Sequence, residues 1–167
     1  MAGTVWLVDM GYVVKTAKKS GMRLDYVLAR DLLGTRFGET HAFLFNSVDD
    51  AFGIPDGLRA FYRAMEAQGM VVRLHPMTGE AAAGTHRQRR VDVDLASHAV
   101  WQASLPDTRV IVLTTGDQDL VPAVELCRER FGVFIVLFAF QHDVSRALRE
   151  AVDDWLCIED FRDRLAR

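Results

Sequence analysis

Short apolar runs alternate with amphipathic stretches along the whole chain. Residues 4–8, 41–45, 71–75, 110–114 and 133–138 are dense in Val, Ile, Leu and Phe, the pattern of strands buried on both faces. Between them, residues 26–33, 57–67, 93–103, 120–130 and 144–152 carry apolar side chains at three- and four-residue spacing and predict helices. Gly34, Gly69 and Gly132 stand after three of these stretches as stop signals. Trp155, Leu156, Cys157 and Ile158 predict a last strand, with a short helix through Phe161 and Leu165. Alternation of this kind implies a three-layer α/β/α sandwich around a mostly parallel, Rossmann-like sheet, because right-handed crossovers place helices on both faces.

Composition narrows the picture. A chain of 167 residues, half of them apolar, is expected to form one domain over residues 1–167 with an ample core, and its exposed faces leave a homodimer open. A net charge of −3 gives no global pull toward polyanions, so such a partner must be held by a local basic patch or through bound metal. Two cysteines in a well-filled core read as reduced thiols, which implies a reducing compartment. The amino terminus lacks a basic region followed by a long apolar stretch, and no run reaches the ~18 apolar residues of a spanning helix. The expectation is a soluble, cytoplasmic protein with no membrane partner. The long irregular stretch, from Pro76 to about Arg90, is rich in Gly and Ala and ends in His86, Arg87, Gln88, Arg89 and Arg90.

The acidic positions bring in chemistry. Asp9 closes the first apolar run, while Asp117 and Asp119 follow the run at 110–114. In an open α/β sheet, ligands sit outside the carboxyl ends of the strands where the strand order reverses, so these carboxylates would share one crevice. Asp92 and Asp94 begin a predicted helix, and carboxylates converging from separate elements suit a hard cation such as Mg²⁺. Each also has a plain structural reading. Asp119, ahead of Leu120 and Pro122, fits an N-cap; Asp117 is harder to explain by capping; Asp9 fits a turn, and Asp92 and Asp94 a helix start. Arg87, Arg89 and Arg90 form a basic patch before Asp92, and Lys15, Lys18, Lys19 and Arg23 a second one after Asp9; both suit phosphate contact or plain solvation. Tyr12 suits base stacking or a crevice wall. Phe43, Phe45, Phe134 and Phe138 fall in strand runs and read as core.

Taken together, Asp9, the segment from Arg90 to Ala96, and Thr115-Gly116-Asp117-Gln118-Asp119-Leu120-Val121-Pro122 resemble the NYN domain family, relatives of the PIN-domain nucleases, in its LabA-like group. The ordered set covers nearly the whole chain, out to Ser145, Leu148 and Asp153. The resemblance implies a PIN-like fold and RNA cleavage with Mg²⁺ or Mn²⁺ held by Asp9, Asp92 and Asp117, with Asp119 assisting; Tyr12, Lys15, Arg87, Arg89 and Arg90 are the RNA contacts expected from the residues themselves. Two positions depart from the family pattern: Tyr12 stands where an Asn is usual, and His98 where an Asp is usual. His98, four residues after Asp94, is either a ligand or phosphate contact, or a surface or hydrogen-bonded histidine. These departures leave a second reading, a weakened member that binds RNA or a protein partner in a regulatory role. A small-molecule phosphatase is disfavoured because Gly11 occupies the place of its second Asp.

Overall fold

A computed structural model describes residues 3–49, 53–77 and 89–165. The residues from Thr78 to Gln88, with Arg87 among them, lie outside it, as does the side chain of Arg89. The elements follow in order: β1 (Thr4–Asp9), α1 (Met10–Lys19), α2 (Tyr26–Phe37), β2 (Thr40–Asp49), α3 (Asp56–Ala67), β3 (Val71–Met77), α4 (Arg89–Ala103), β4 (Val110–Thr114), α5 (Val121–Phe131), β5 (Phe134–Ala139), α6 (Arg146–Ala151), β6 (Asp154–Cys157) and α7 (Arg162–Leu165). Single 3₁₀ turns at Gln118–Leu120 and Ile158–Phe161 precede α5 and α7.

The six strands form one sheet in the order β3-β2-β1-β4-β5-β6, and every pairing is parallel. Parallel strands need crossovers, and the helices supply cover on both faces. α2 and α7 pack together on one face, and α4, α5 and α6 lie on the other. β1 is buried at all six positions, which explains why it reads as a continuous apolar run and not as an alternating one. The strand order turns outward in both directions from β1 and β4, whose pairing runs from Thr4 opposite Val110 to Val8 opposite Thr114. The ends of these two strands therefore open side by side.

A buried hydrogen-bond chain fixes this pair. Trp6 is fully buried, and its indole Nε1 donates to Thr114 Oγ1 at 2.8 Å; that hydroxyl in turn donates to the Phe138 carbonyl at 2.7 Å. The chain ties β1, β4 and β5 together across the sheet. Trp6 packs its ring against Tyr26 on α2 and Phe138 on β5.

Several expectations shift. α1 is absent from the helices that the pattern predicts, although Met10, Val13 and Ala17 are buried at helical spacing. α2 continues through Gly34 to Phe37 and stops at Gly38, whose φ of 92° is left-handed; Gly34 stays helical because nothing there forces a turn. Gly132, by contrast, ends α5 in the left-handed conformation as expected. Phe134 is 45% exposed at the start of β5 and does not belong to the core, and Phe43 is only partly buried. Cys127 is buried, Cys157 is half-buried, and both are free thiols. Among the described residues, no helix is long and apolar enough to cross a membrane.

The Trp6–Thr114 bond yields a direct expectation. Thr114→Val keeps the shape but leaves the buried indole N–H without an acceptor, which costs about 1–3 kcal/mol. Urea unfolding should show a lower midpoint at unchanged slope, and Thr114→Ser, which keeps the hydroxyl, should recover most of the loss. An unchanged midpoint for the valine variant would remove this bond from the account of the sheet.

Candidate active site

Two strand ends and one helix start supply the acidic groups. Asp9 is the last residue of β1 and also the N-cap of α1: its backbone is extended and its Oδ1 accepts from the Tyr12 amide at 3.1 Å. Gly11 lacks a Cβ, which would stand 3.3 Å from that same oxygen, so the tight turn from strand to helix is open to the carboxylate. After β4 the chain passes through Thr115 and Gly116 to Asp117, whose Oδ1 accepts from the Asp119 amide at 2.9 Å and caps the 3₁₀ turn. Asp92 sits in the first turn of α4, where a carboxylate complements the helix dipole.

The capping assignment is thus reversed. Asp117 is the cap, while Asp119 lies inside the turn with its side chain exposed, and Leu120 leads into α5 without a side-chain cap. Capping consumes one oxygen of Asp117 and one of Asp9. Each carboxylate has a second oxygen for other work.

The four acids feel one another. Burial raises the Asp92 carboxyl, and the charges of Asp9, Asp117 and Asp119 raise it further, to about 7. Asp9 is also raised, first by burial and then by Asp117, against the lowering effect of the Tyr12 and Gly11 amides. Such a cluster is unfavourable as bare carboxylates and becomes favourable with a counter-charge. Asp9 and Asp117 line a crevice of about 290 Å³ with Gly11, Tyr12, Lys15, Thr115, Gly116 and Asp143. Asp92 and Asp119 act on it through their charge.

Other predicted residues are placed differently. Tyr12 is 6% exposed, and its hydroxyl lies 3.2 Å from both the Phe140 and His142 carbonyls, to which it can donate. Its ring packs near Phe140 and is therefore not free to stack a base; Tyr12 is a wall of the crevice. Lys15 lines the crevice but stands 3.8 Å from Asp143, which also accepts from Lys19. Arg90 is exposed in the first turn of α4. Asp94 faces other partners: Arg73 Nε and His75 Nε2 each lie 2.7 Å from its Oδ2, and His98 Nδ1 lies 3.0 Å from its Oδ1. Burial opposes ionisation of Asp94, but the bonds from Arg73 and His75 and the nearby positive charges outweigh it, and its pKa falls. His98 is thus a hydrogen-bonded histidine packed on Phe43, Phe45 and Trp101, not a member of the acidic crevice.

Two features of the site were not anticipated. Asp143 enters the crevice wall from the loop after β5, with a positive φ of 55°. Gly116 is where that loop lands: a Cβ there would lie 1.8 Å from the Asp143 carbonyl oxygen and 2.9 Å from the Tyr12 ring. The Ser145 amide donates to the Gly116 carbonyl at 3.0 Å, so the contact is a docked one. The Gly of the Gly-Asp-x-Asp element was the available signal, but nothing local names its distant partner.

Residues 5–159 match the family model of the NYN domain. The chain belongs to the NYN domain family. NYN domains are PIN-like and nuclease-related, and such nucleases generally use divalent metal ions. A crystal structure of a protein of unknown function from Vibrio parahaemolyticus is similar in fold, with a TM-score of 0.80 at 22% identity over 97% of this chain and 94% of that one. No curated protein matches the chain. Among the described residues, no three His, Cys, Asp or Glu side chains stand close enough to hold one ion as placed. The donor chemistry of this NYN domain still fits a hard dication, since all-carboxylate sites select such ions.

The raised Asp92 carboxyl sets a pH dependence. Below about 4 it is protonated in both folded and unfolded chains and contributes nothing; as pH rises toward 7, only the unfolded chain ionises, so folding loses stability. In EDTA, Asp92→Asn should therefore raise the melting temperature at pH 8, with the gain shrinking steadily toward pH 4. A gain that grows on acidification would contradict the sign. Gly116→Ala should destabilise the domain by about 1–3 kcal/mol, the range of overpacking, because backbone must move. Thermal melts would check it, and an unchanged melting temperature would show that the docked loop yields freely.

Proposed function

We propose that this NYN domain is a metal-dependent ribonuclease that hydrolyses RNA phosphodiester bonds at the acidic crevice. The observation that carries the reading is the meeting of Asp9 and Asp117 at the carboxyl ends of β1 and β4, near enough to Asp92 that, after burial, they and Asp119 raise its carboxyl. Asp9, Asp92 and Asp117 would hold Mg²⁺ or Mn²⁺, with Asp119 assisting. Such an ion supplies an activated water and offsets charge on the phosphate oxygens.

The remaining work belongs to the chain itself. Four carboxylates repel a phosphate, so substrate approach depends on cations at the rim, and Lys15 stands there on α1. Its ion pair with Asp143 is exposed and weak, so it can be exchanged for an RNA phosphate at small cost. Arg90 is exposed in the first turn of α4, the turn that also carries Asp92, and would supply a further phosphate contact. Asp9 and Asp117 are held in fixed rotamers by their capping bonds. Pre-set carboxylates of this kind need little rearrangement at the moment of reaction. The reading further takes residues 1–167 as one domain and the protein as cytoplasmic.

The positions of Tyr12 and His98 favour keeping one alternative, a member that binds RNA and regulates without cutting. Both side chains are committed to structural bonds and neither adds a donor to the crevice.

Cleavage of a labelled mixed-sequence RNA in Mn²⁺, Mg²⁺ or EDTA separates the readings. Asp117→Asn keeps an N-cap side chain yet removes the charge, so it should fold normally and lose about 100-fold or more of the activity, the upper end for even an outer-shell metal partner. Full activity in that variant would end the assignment. Binding without metal-dependent turnover in the unaltered protein would transfer it to the regulatory alternative.

A further inference from the structure

α4 differs from its neighbours in what it shows to solvent. α3 turns Arg59, Arg63 and Glu66 outward, and α5 turns Glu125, Glu129 and Arg130 outward, as amphipathic helices on a sheet do. Beyond its first turn, α4 instead exposes Val93, Ser97 and Trp101, with Ser104 and Leu105 following just past its end. Val93 is 64% exposed and Trp101 54%. From Leu95 to Pro106 the sequence holds no Lys, Arg, Asp or Glu. Single apolar residues on a surface are ordinary, whereas a continuous apolar stripe marks an interaction site.

Three observations identify what covers it. Trp101 is held in place, because His98 meets its ring edge-on with centroids 5.5 Å apart and is itself fixed by Asp94. An exposed but positioned tryptophan is the residue type that anchors protein interfaces. The stripe is also balanced about one residue: Val93 and Trp101 lie four positions either side of Ser97, Arg90 and Ser104 seven, and all fall within about 40° of one line along the helix. A two-fold axis through Ser97 therefore sets apolar Val93 on apolar Trp101 twice over, with a small residue at the crossing point, the self-complementarity that a two-fold interface requires. Finally, the ends carry opposite charge. Arg90 and the free amides of the first turn make one end positive, and Asp107, exposed in the turn after the helix, and the last carbonyls make the other negative. Antiparallel pairing brings unlike ends together. A different protein would need none of this internal balance; a second copy of the chain needs all of it.

We infer that α4 is the seam of a two-fold homodimer in which two copies of the helix pack antiparallel across Ser97. Val93 rests on Trp101 of the partner subunit at both ends of the seam. Asp107 of the partner subunit faces the first turn of α4, where the five N–H donors of Arg90 leave some for a phosphate. The two acidic crevices then lie toward opposite ends of the helix pair, because Asp92 belongs to the first turn of each α4. Nothing in this pairing requires RNA cleavage.

The test is sedimentation velocity of the full chain over a dilution series, with the position of the seam read by disulfide trapping. The unaltered protein should sediment as a dimer that dissociates on dilution. Val93→Glu leaves a charge buried against an indole in the dimer only, so it should raise the dimer dissociation constant about 100-fold or more at an unchanged melting temperature. Ser97→Cys places a thiol on the axis, facing its own copy, and should form a disulfide between subunits under mild oxidation. The unaltered protein, whose Cys127 is buried and Cys157 half-buried, and Glu129→Cys on α5 should stay uncrosslinked. A monomer at every concentration would overturn the seam. So would a dimer that survives Val93→Glu, or trapping no faster at Ser97→Cys than at Glu129→Cys; either result would leave the RNA-cleavage outcome of Asp117→Asn untouched.

Discussion

Everything at the site depends on the pairing of β1 with β4. Because the other strands are added outward from this pair, it is the one place in the sheet where two carboxyl ends adjoin and their chains leave in different directions. The pairing is secured where solvent cannot interfere, by the Trp6 indole on Thr114 and the Thr114 hydroxyl on the Phe138 carbonyl. A buried polar chain of this sort specifies one register, since a shift by one residue would strand each group without a partner. Asp9 lies immediately beyond the β1 residues that pair with β4, and Asp117 follows Thr114 by three. Their separation is therefore a property of the core.

The acids carry structural duties that make their repulsion tolerable. Asp9 starts α1 and Asp117 starts the turn into α5, so helix amides partly offset the cost of placing the charges together. Asp92 gains no lowering contribution of that kind, and its carboxyl is raised to about 7 by burial and by its three acidic neighbours. The neighbouring Asp94 goes the other way, lowered by Arg73 and His75 despite its burial. Two acids two residues apart on α4 thus divide between acidic crevice and structural network, and the difference lies in what faces each.

That division also marks how far the chain could be read without coordinates. The strands were legible because buried parallel strands are continuous apolar runs, and the strand-end aspartates were legible because the runs end abruptly in acid. α1 was not, since its four polar or charged positions at Lys15, Thr16, Lys18 and Lys19 suggest a basic cluster before they suggest a helix. The roles of Tyr12 and Asp143 were hidden for a different reason: Tyr12 bonds carbonyls about 130 residues away, and no local pattern encodes such a contact. Capping was misassigned by two residues because a 3₁₀ turn intervenes before α5, which a periodicity of 3.6 does not register.

Tyr12 and Gly116 make sense only as a pair. The Tyr12 hydroxyl holds the carbonyls of Phe140 and His142, and the missing side chain of Gly116 admits the carbonyl of Asp143, so one loop is fixed by a bulky residue on one strand's helix and an absent one beyond the other. An Asn at position 12 would be too short to span that distance, and the loop would lose its anchor. Tyr12 therefore serves the first helix as a strut that sets the far wall of the crevice.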